Sequence, residues 1–234
     1  MGKLYLIPTP LGKRTENTVL PEHTIEITRK IACFIVEKPQ TAQSFLRWID
    51  HPVPDYKLTM RVLNKKTPEQ EIFSFLKLIR EQDTGLMSEA GAPGVADPGS
   101  SLVQLAHDNG LQVVPLVGPS SILMALMASG LNGQNFAFHG YLSLNDSERK
   151  KEITHLEMES SKMNRTQIVM ETPHRNQVLF RMLIDRLRPD TRLCIACNLT
   201  QTDEWIRTRT VHNWASSPKP ELQKKPALFL ILSG

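Results

Sequence analysis

Cysteine is scarce in this sequence, and what there is excludes a covalent framework. Three cysteines in 234 residues, at 33, 194 and 197, are an odd number in apolar surroundings, the pattern of reduced thiols. Cys194 and Cys197 form a CxxC inside RLCIAC, a run that reads as a buried strand with positions i and i+3 facing opposite sides, so neither redox chemistry nor a metal is indicated. The seven histidines show no HxxxH spacing, and no metal is expected. The longest uninterrupted apolar run, Ile122 to Ala128, is too short to cross a bilayer, and Pro8 and Pro10 interrupt any secretory-signal pattern, so the expected compartment is the cytoplasm. The dinucleotide fingerprint GxGxxG and the phosphate-loop Lys-Ser/Thr pair are both missing, which argues against NAD and ATP. No repeat period is present. A net charge of +4 allows an anionic partner without requiring one.

What is present is concentrated between Gly85 and Gly130, which reads as strand, loop, helix, strand, loop, helix. The strand Gly85 to Met87 meets SEAGAPGVADPG, and a helix carrying Leu102, Val103, Leu105 and Ala106 follows until Gly110 stops it. A second strand, Leu111 to Val117, ends at Gly118-Pro119-Ser120-Ser121, before the small-residue helix Ile122 to Ala128. Two successive strand-to-helix turns imply a parallel sheet, whose ligands sit outside the carboxyl ends of the strands. Glycines 91, 94 and 99 let main chain approach a ligand closely, while prolines 93 and 98 fix the path and remove donors. Such loops suit a nucleoside-like ligand without a critical phosphate; the plainer reading is a loop that merely turns the chain.

The rest of the chain extends the α/β pattern. Lys3 to Ile7 is a first strand with PTPLG as its exit, and Ile31 to Val36 is a second, with Glu37 and Lys38 at its carboxyl end. Helices are expected from Thr41 to Ile49 and after Thr67-Pro68-Glu69-Gln70, where Thr67 as N-cap and Gln70 at N3 would form a capping box. Beyond a domain boundary at Val117, Phe136 to Tyr141 and Thr166 to Met170 read as strands. Arg149 to Met163 reads as a charged surface helix. Thr172 and Pro173 are expected to open a helix with Val178, Leu179, Met182 and Leu183 on its apolar face. Arg192 to Cys197 and Ala227 to Leu232 are the last clear strands, with Arg207 to Val211 a further, antiparallel one. The expected organisation is two α/β domains, 1–117 and 118–234.

The runs SEAGAPGVADPG and VVPLVGPSSILMALMASGL, with LYLIPTPLG before them and METPHR after, resemble the tetrapyrrole methylase superfamily. Within it the sequence is most similar to the branch of bacterial small-subunit ribosomal RNA (cytidine-2′-O)-methyltransferases. The resemblance covers nearly the whole chain. It implies two α/β domains with parallel or mixed sheets and a cofactor cleft between them, S-adenosylmethionine as methyl donor, a homodimer, and ribosomal RNA or the small ribosomal subunit as partner. A tetrapyrrole or other small metabolite as acceptor, and a binding protein without turnover, are the alternatives. Carried over by motif position, the cofactor-binding residues are Leu11, Gly91, Ala92, Val95, Ser120, Ser121, Met170, Glu171 and Ala227.

Several of these residues have a plainer reading too. Ser120 and Ser121 could cap the helix that follows them. Glu171 could bind the ribose or amino group of the donor, orient the acceptor, or pair with Arg175 at i,i+4. His174 is a candidate base and equally an exposed first-turn histidine. Arg149-Lys150-Lys151 reads as an RNA contact or as a solvated helix face. The sequence departs from the branch at Glu37-Lys38-Pro39-Gln40-Thr41, where an acidic-threonine-arginine run is usual. It departs again at Lys65-Lys66-Thr67-Pro68, and it ends at Gly234 without the branch's C-terminal extension.

Overall fold

Strand β1 (Leu4–Ile7) stops at Pro8, because two prolines in the next three residues supply no donor to a central ladder. In the computed structural model, which describes residues 1–12 and 18–234, β1 lies inside a sheet of one compact unit, Met1–Ser120. After β1 come α1 (Glu22–Lys30), β2 (Cys33–Val36), α2 (Pro39–Trp48), β3 (Thr59–Val62), α3 (Glu69–Glu81), β4 (Thr84–Met87), α4 (Gly99–Asp108) and β5 (Val113–Pro115). The strands run parallel in the order β3-β2-β4-β1-β5. Alternation divides the core across the sheet. Phe34 and Val36 pack with Phe45 and Leu46 on one face, whereas Ile35 packs with Phe75, Ile79 and Leu102 on the other. With both faces covered, strands such as Cys-Phe-Ile-Val are apolar throughout. All strand carboxyl ends consequently share one edge, and the glycine and proline loops leave from it.

The second unit, Ser121–Gly234, opens with α5 (Ser121–Ser129). There follow β6 (Phe136–Tyr141), α6 (Asp146–Met163), β7 (Thr166–Glu171), α7 (Asn176–Arg186), β8 (Arg192–Cys197), β9 (Trp205–Thr210), α8 (Val211–Ala215) and β10 (Ala227–Leu232). Its sheet is mixed, in the order β6-β7-β10-β8-β9, with β6 parallel to β7 and the other pairs antiparallel. Ile153, Leu179, Phe180 and Trp214 from the helices close over Val169, Ile195 and Phe229. The buried indole N–H of Trp214 donates to the Leu193 carbonyl at 2.8 Å, so the aromatic body is buried without stranding its donor. All three cysteines are buried, and burial pushes the Cys197 thiol up to about 11. Among the described residues no helix is long and apolar enough to cross a membrane.

Several local expectations are corrected. Thr67 does not cap α3: its hydroxyl accepts from Asn64 N–H at 2.9 Å, and Pro68 becomes the N-cap without a side-chain bond. Thr172 and Pro173 likewise precede a turn closed by Arg175 N–H on the Thr172 carbonyl at 2.8 Å, and α7 starts only at Asn176. Val178 is exposed while Leu179, Met182 and Leu183 are buried. The strand expected over Leu111 to Val117 is ordered as β5 only over Val113–Pro115. Helix α2 starts at Pro39, earlier than expected, with proline at its first turn. Helix α6 starts at Asp146, because Asn145 caps it by accepting from Ser147 and Glu148 N–H. That start puts Arg149 inside: it is buried, donating to the carbonyls of Ser143 and Leu144 at 2.7 and 3.0 Å, and so belongs neither to a solvated face nor to a phosphate contact.

Candidate functional site

Between Pro8 and Pro10, Thr9 keeps the one amide N–H of that tripeptide, and it donates to the Gly91 carbonyl at 3.0 Å. Gly91 returns the bond, its N–H on the Thr9 carbonyl at 3.0 Å, so the exits of β1 and β4 are joined by an antiparallel bridge. Gly91 stands at φ +77°, a conformation that side chains rarely adopt. A Cβ built there would lie 3.2 Å from Leu11 Cδ2 and 3.6 Å from the Pro119 carbonyl oxygen. At Gly118 it would meet Pro8 at 2.4 Å. The exits of β1, β4 and β5 therefore converge on one spot, and glycine is what lets them.

The long loop after β4 is pinned from within. Asp97 accepts from Gly94 N–H at 2.9 and 3.0 Å and from Gly99 N–H at 2.7 Å. Burial raises the Asp97 carboxyl pKa, against those hydrogen bonds. Of the residues expected on this side, Gly91 is buried, Leu11, Ala92 and Ser120 are half-buried, and Val95 is exposed. Leu11 and Gly91 are brought together with Pro119, and Ser120 follows it directly.

Beside this bridge lies a cavity of about 670 Å³. Thr9 to Gly12 form one wall, Thr41, Phe45 and Trp48 of α2 another, and Ser88 and Glu89 a third. The Phe45 and Trp48 rings stand 6.2 Å apart and give the α2 wall its aromatic surface. Lys38 Nζ reaches Glu89 at 2.5 Å, and this contact raises the lysine's pKa. Glu37 is raised as well, first by burial and then by the charges of Glu89 and Asp97, with Lys38 opposing. Thr9, Glu89, Phe45 and Trp48 of the lining, and Glu37 as a neighbour of Glu89, are residues that motif position did not supply. Their signals were there: a threonine between prolines, carboxylates at strand ends, and two aromatics at i and i+3.

In the second unit, Met170, Glu171 and Ala227 come together across two neighbouring strands, Ala227 opposite Glu171 and Leu228 opposite Met170. The Glu171 carboxylate is buried and accepts from Thr172 N–H and from Arg175, both at 2.6 Å. Of its open readings the ion pair with Arg175 is the one formed. His174 is exposed. Ser121 is the first residue of α5.

Residues 3–214 match the family of tetrapyrrole (corrin/porphyrin) methylases. A ribosomal RNA small subunit methyltransferase I of Bacillus subtilis (strain 168) is 33% identical over 238 residues, covering 100% of this chain and 76% of that protein. Its namesake in Vibrio cholerae is 30% identical over 234 residues, covering 99% of this chain and 77% of its own. Among solved structures, the methyltransferase CobJ superposes with a TM-score of 0.64 at 14% identity, covering 100% of both chains. A uroporphyrin III C-methyl transferase from Thermus thermophilus superposes with a TM-score of 0.57 at 16% identity, covering 99% of this chain and 98% of its own. At those identities the two structures bear on the fold alone: a parallel α/β unit followed by a mixed one. Matched along nearly its whole length, the chain belongs to the tetrapyrrole (corrin/porphyrin) methylase family and is an S-adenosylmethionine-dependent methyltransferase.

Proposed function

We propose that this methyltransferase acts in the cytoplasm on RNA of the small ribosomal subunit, at the 2′-hydroxyl of a cytidine. The carrying observation is the cavity beside the Thr9–Gly91 bridge, with an aromatic wall and a carboxylate at its rim. A base taken out of its stack needs an apolar or aromatic surface to lie on and a polar group for its edge. Phe45 and Trp48 provide the first. Glu89, its charge balanced by Lys38, provides the second and suits the N4 amino group of cytosine. The relatives named for ribosomal RNA support the same acceptor.

S-adenosylmethionine, when bound, supplies an electrophilic methyl group; the chain's task is to hold donor and acceptor in line and keep water out. Leu11, Gly91, Ala92, Val95 and Ser120, and with them Ser121, Met170, Glu171 and Ala227, are the residues that motif position puts forward to hold it. The first five suit an uncharged nucleoside, because they bring main chain and uncharged side chains around Gly91, where a Cβ would lie tight against Leu11 at 3.2 Å. Glu37, at the exit of β2 three residues before the cavity-lining Gln40, is the group we assign to take up the hydroxyl proton; burial and its acidic neighbours favour the protonated carboxyl. The chain works as a homodimer, a reading supported by Leu123 and Met127, which are one turn apart and exposed on α5.

Substitutions on the donor side separate binding from folding. Ser120→Leu is expected to weaken S-adenosylmethionine binding in calorimetry about tenfold, or ~1.4 kcal/mol, with an unchanged unfolding midpoint. Gly91→Val should match that loss and also lower stability by about 1–3 kcal/mol, because valine must adopt the positive φ. Unaltered affinity in both would move the donor elsewhere.

Glu37→Gln should reduce turnover by about 10²–10⁴-fold. Its effect on stability has the opposite sign. Because Glu37 binds its proton more tightly in the folded chain, its contribution is complete below the ordinary carboxylate range and is lost as pH rises through the raised value. Melting curves should therefore show the variant gaining on the wild type from about pH 4 upward. A gap independent of pH would remove Glu37 from the acidic cluster.

The acceptor is read directly with radiolabelled S-adenosylmethionine and small ribosomal subunits from cells lacking this protein, followed by digestion to nucleosides. Label in 2′-O-methylcytidine is the expected outcome; label confined to tetrapyrroles or other small metabolites would overturn it. Light scattering on the purified chain should give about twice its 26.5 kDa, and a monomer mass at micromolar concentration would overturn the dimer.

A further inference from the structure

Helix α6 carries acidic and basic residues in similar number, yet its surface divides them. Glu148 accepts from the Ser143 hydroxyl at 2.7 Å and Glu152 from Ser143 N–H at 2.8 Å. Glu157 is buried and accepts from Arg188 N–H at 2.8 Å, and Asp146 lies 3.6 Å from Arg149. These four carboxylates are thereby committed to the loop before the helix, to its first turn, or to the interior; the fifth, Glu159, is half-buried and does not line the groove described next. Ser147, Lys150, Lys151, Thr154 and His155 fall at spacings of three and four, which places them on one face.

Together with Arg186 at the end of α7 they line a groove of about 420 Å³. Lys150, Lys151, His155 and Arg186 are exposed, and among the described residues none forms an ion pair with a carboxylate. Lys162 continues the same face, so the cationic stripe from Lys151 runs about 16 Å along the helix. None of these residues belongs to the donor-binding set or lines the cavity beside Thr9 and Gly91.

We propose that this face of α6, with Arg186, is a docking surface for the phosphate backbone of the RNA acceptor. Phosphate contacts position a nucleic acid without reading its sequence, and they come from Lys and Arg helped by hydroxyls, here Ser147 and Thr154. The inference rests on the RNA reading of the acceptor and adds a second contact to it: the cavity takes one nucleoside, and the basic face holds the backbone of the surrounding RNA.

The test is the triple variant K150Q/K151Q/R186Q, compared with K30Q/K57Q/K219Q, which removes the same charge elsewhere. Binding to small ribosomal subunits is measured over a range of salt, with S-adenosylmethionine affinity and melting temperature as checks on folding. The first variant should bind at least about tenfold more weakly, and its log affinity against log salt should be shallower by about 2–3. The control should lose less than about threefold, and donor affinity should be unchanged in both. Equal losses in the two variants, or an unchanged salt slope in the first, would overturn the docking surface while leaving the RNA reading standing. A wild-type protein that transfers no methyl group to ribosomal RNA would overturn both.

Discussion

Two hydrogen bonds between Thr9 and Gly91 hold the glycine loops in place. In a parallel sheet the chain leaves every strand from the same edge, and nothing in the ladder obliges neighbouring exits to stay together. Here the exit of β1 has donors removed on either side of Thr9, so its remaining N–H has one use. Gly91, at positive φ, turns the exit of β4 back to meet it and offers both a donor and an acceptor. Thr9 is buried, which makes an unmet amide there costly and the bridge correspondingly specific. Leu11 and the Pro119 carbonyl then pack close to where a Cβ at 91 would have been, at 3.2 and 3.6 Å. The motifs PTPLG, SEAGAPG and VGPSS, far apart in the chain, are thus one structural device.

Around that device the structure accepts an electrostatic arrangement that a stability-driven sequence would avoid. Glu37, Glu89 and Asp97 gather near the strand ends with Lys38 as the neighbouring cation, and burial and mutual repulsion push Glu37 up. Asp97 has a structural use that explains it, since it ties Gly94 and Gly99. For Glu37, the Lys38 charge and a hydrogen bond from the Glu89 backbone oppose its burial without cancelling it. The proposed role of Glu37 as proton acceptor rests on that arrangement, since perturbed carboxylates gather at functional sites and in structural networks alike.

Much of this architecture was legible because the strands announce themselves. Cys-Phe-Ile-Val, Thr-Gly-Leu-Met and Ala-Leu-Phe-Leu-Ile-Leu are buried on both faces and read as short apolar runs between breakers. Strand β3, Thr59–Val62, was not legible: Arg61 is exposed and its neighbours only half-buried, as suits the edge of the sheet. Helix α1 was hidden for a related reason, since threonines buried at 24 and 28 take the place of an apolar stripe. Thr24 donates to the Val117 carbonyl and Thr28 to its own helix. The two helices that start later than expected both follow a threonine before a proline, and in each the first turn forms further on. At Thr67 the hydroxyl was taken by Asn64, a competition within the loop that spacing does not reveal.

The buried Arg149 and the aromatic cavity were illegible for a different reason: both depend on which elements meet. Arg149 sits beside two lysines in sequence, and only the early start of α6 turns it inward while they remain out. The cavity assembles residues from the exits of β1 and β4 and from α2. One of its walls begins at Glu37-Lys38-Pro39-Gln40-Thr41, the run at which the sequence departs from the ribosomal RNA branch it otherwise resembles. In that run Lys38 reaches Glu89 and Thr41 faces the cavity, whereas the loops bridged by Thr9 and Gly91 keep the shared motifs. A change of sequence confined to one wall alters what the cavity can recognise without disturbing the bridge beside it. On the proposed acceptor reading, Lys38, which pairs with Glu89 at the cavity's rim, is the residue of that run placed to bear on what the cavity recognises.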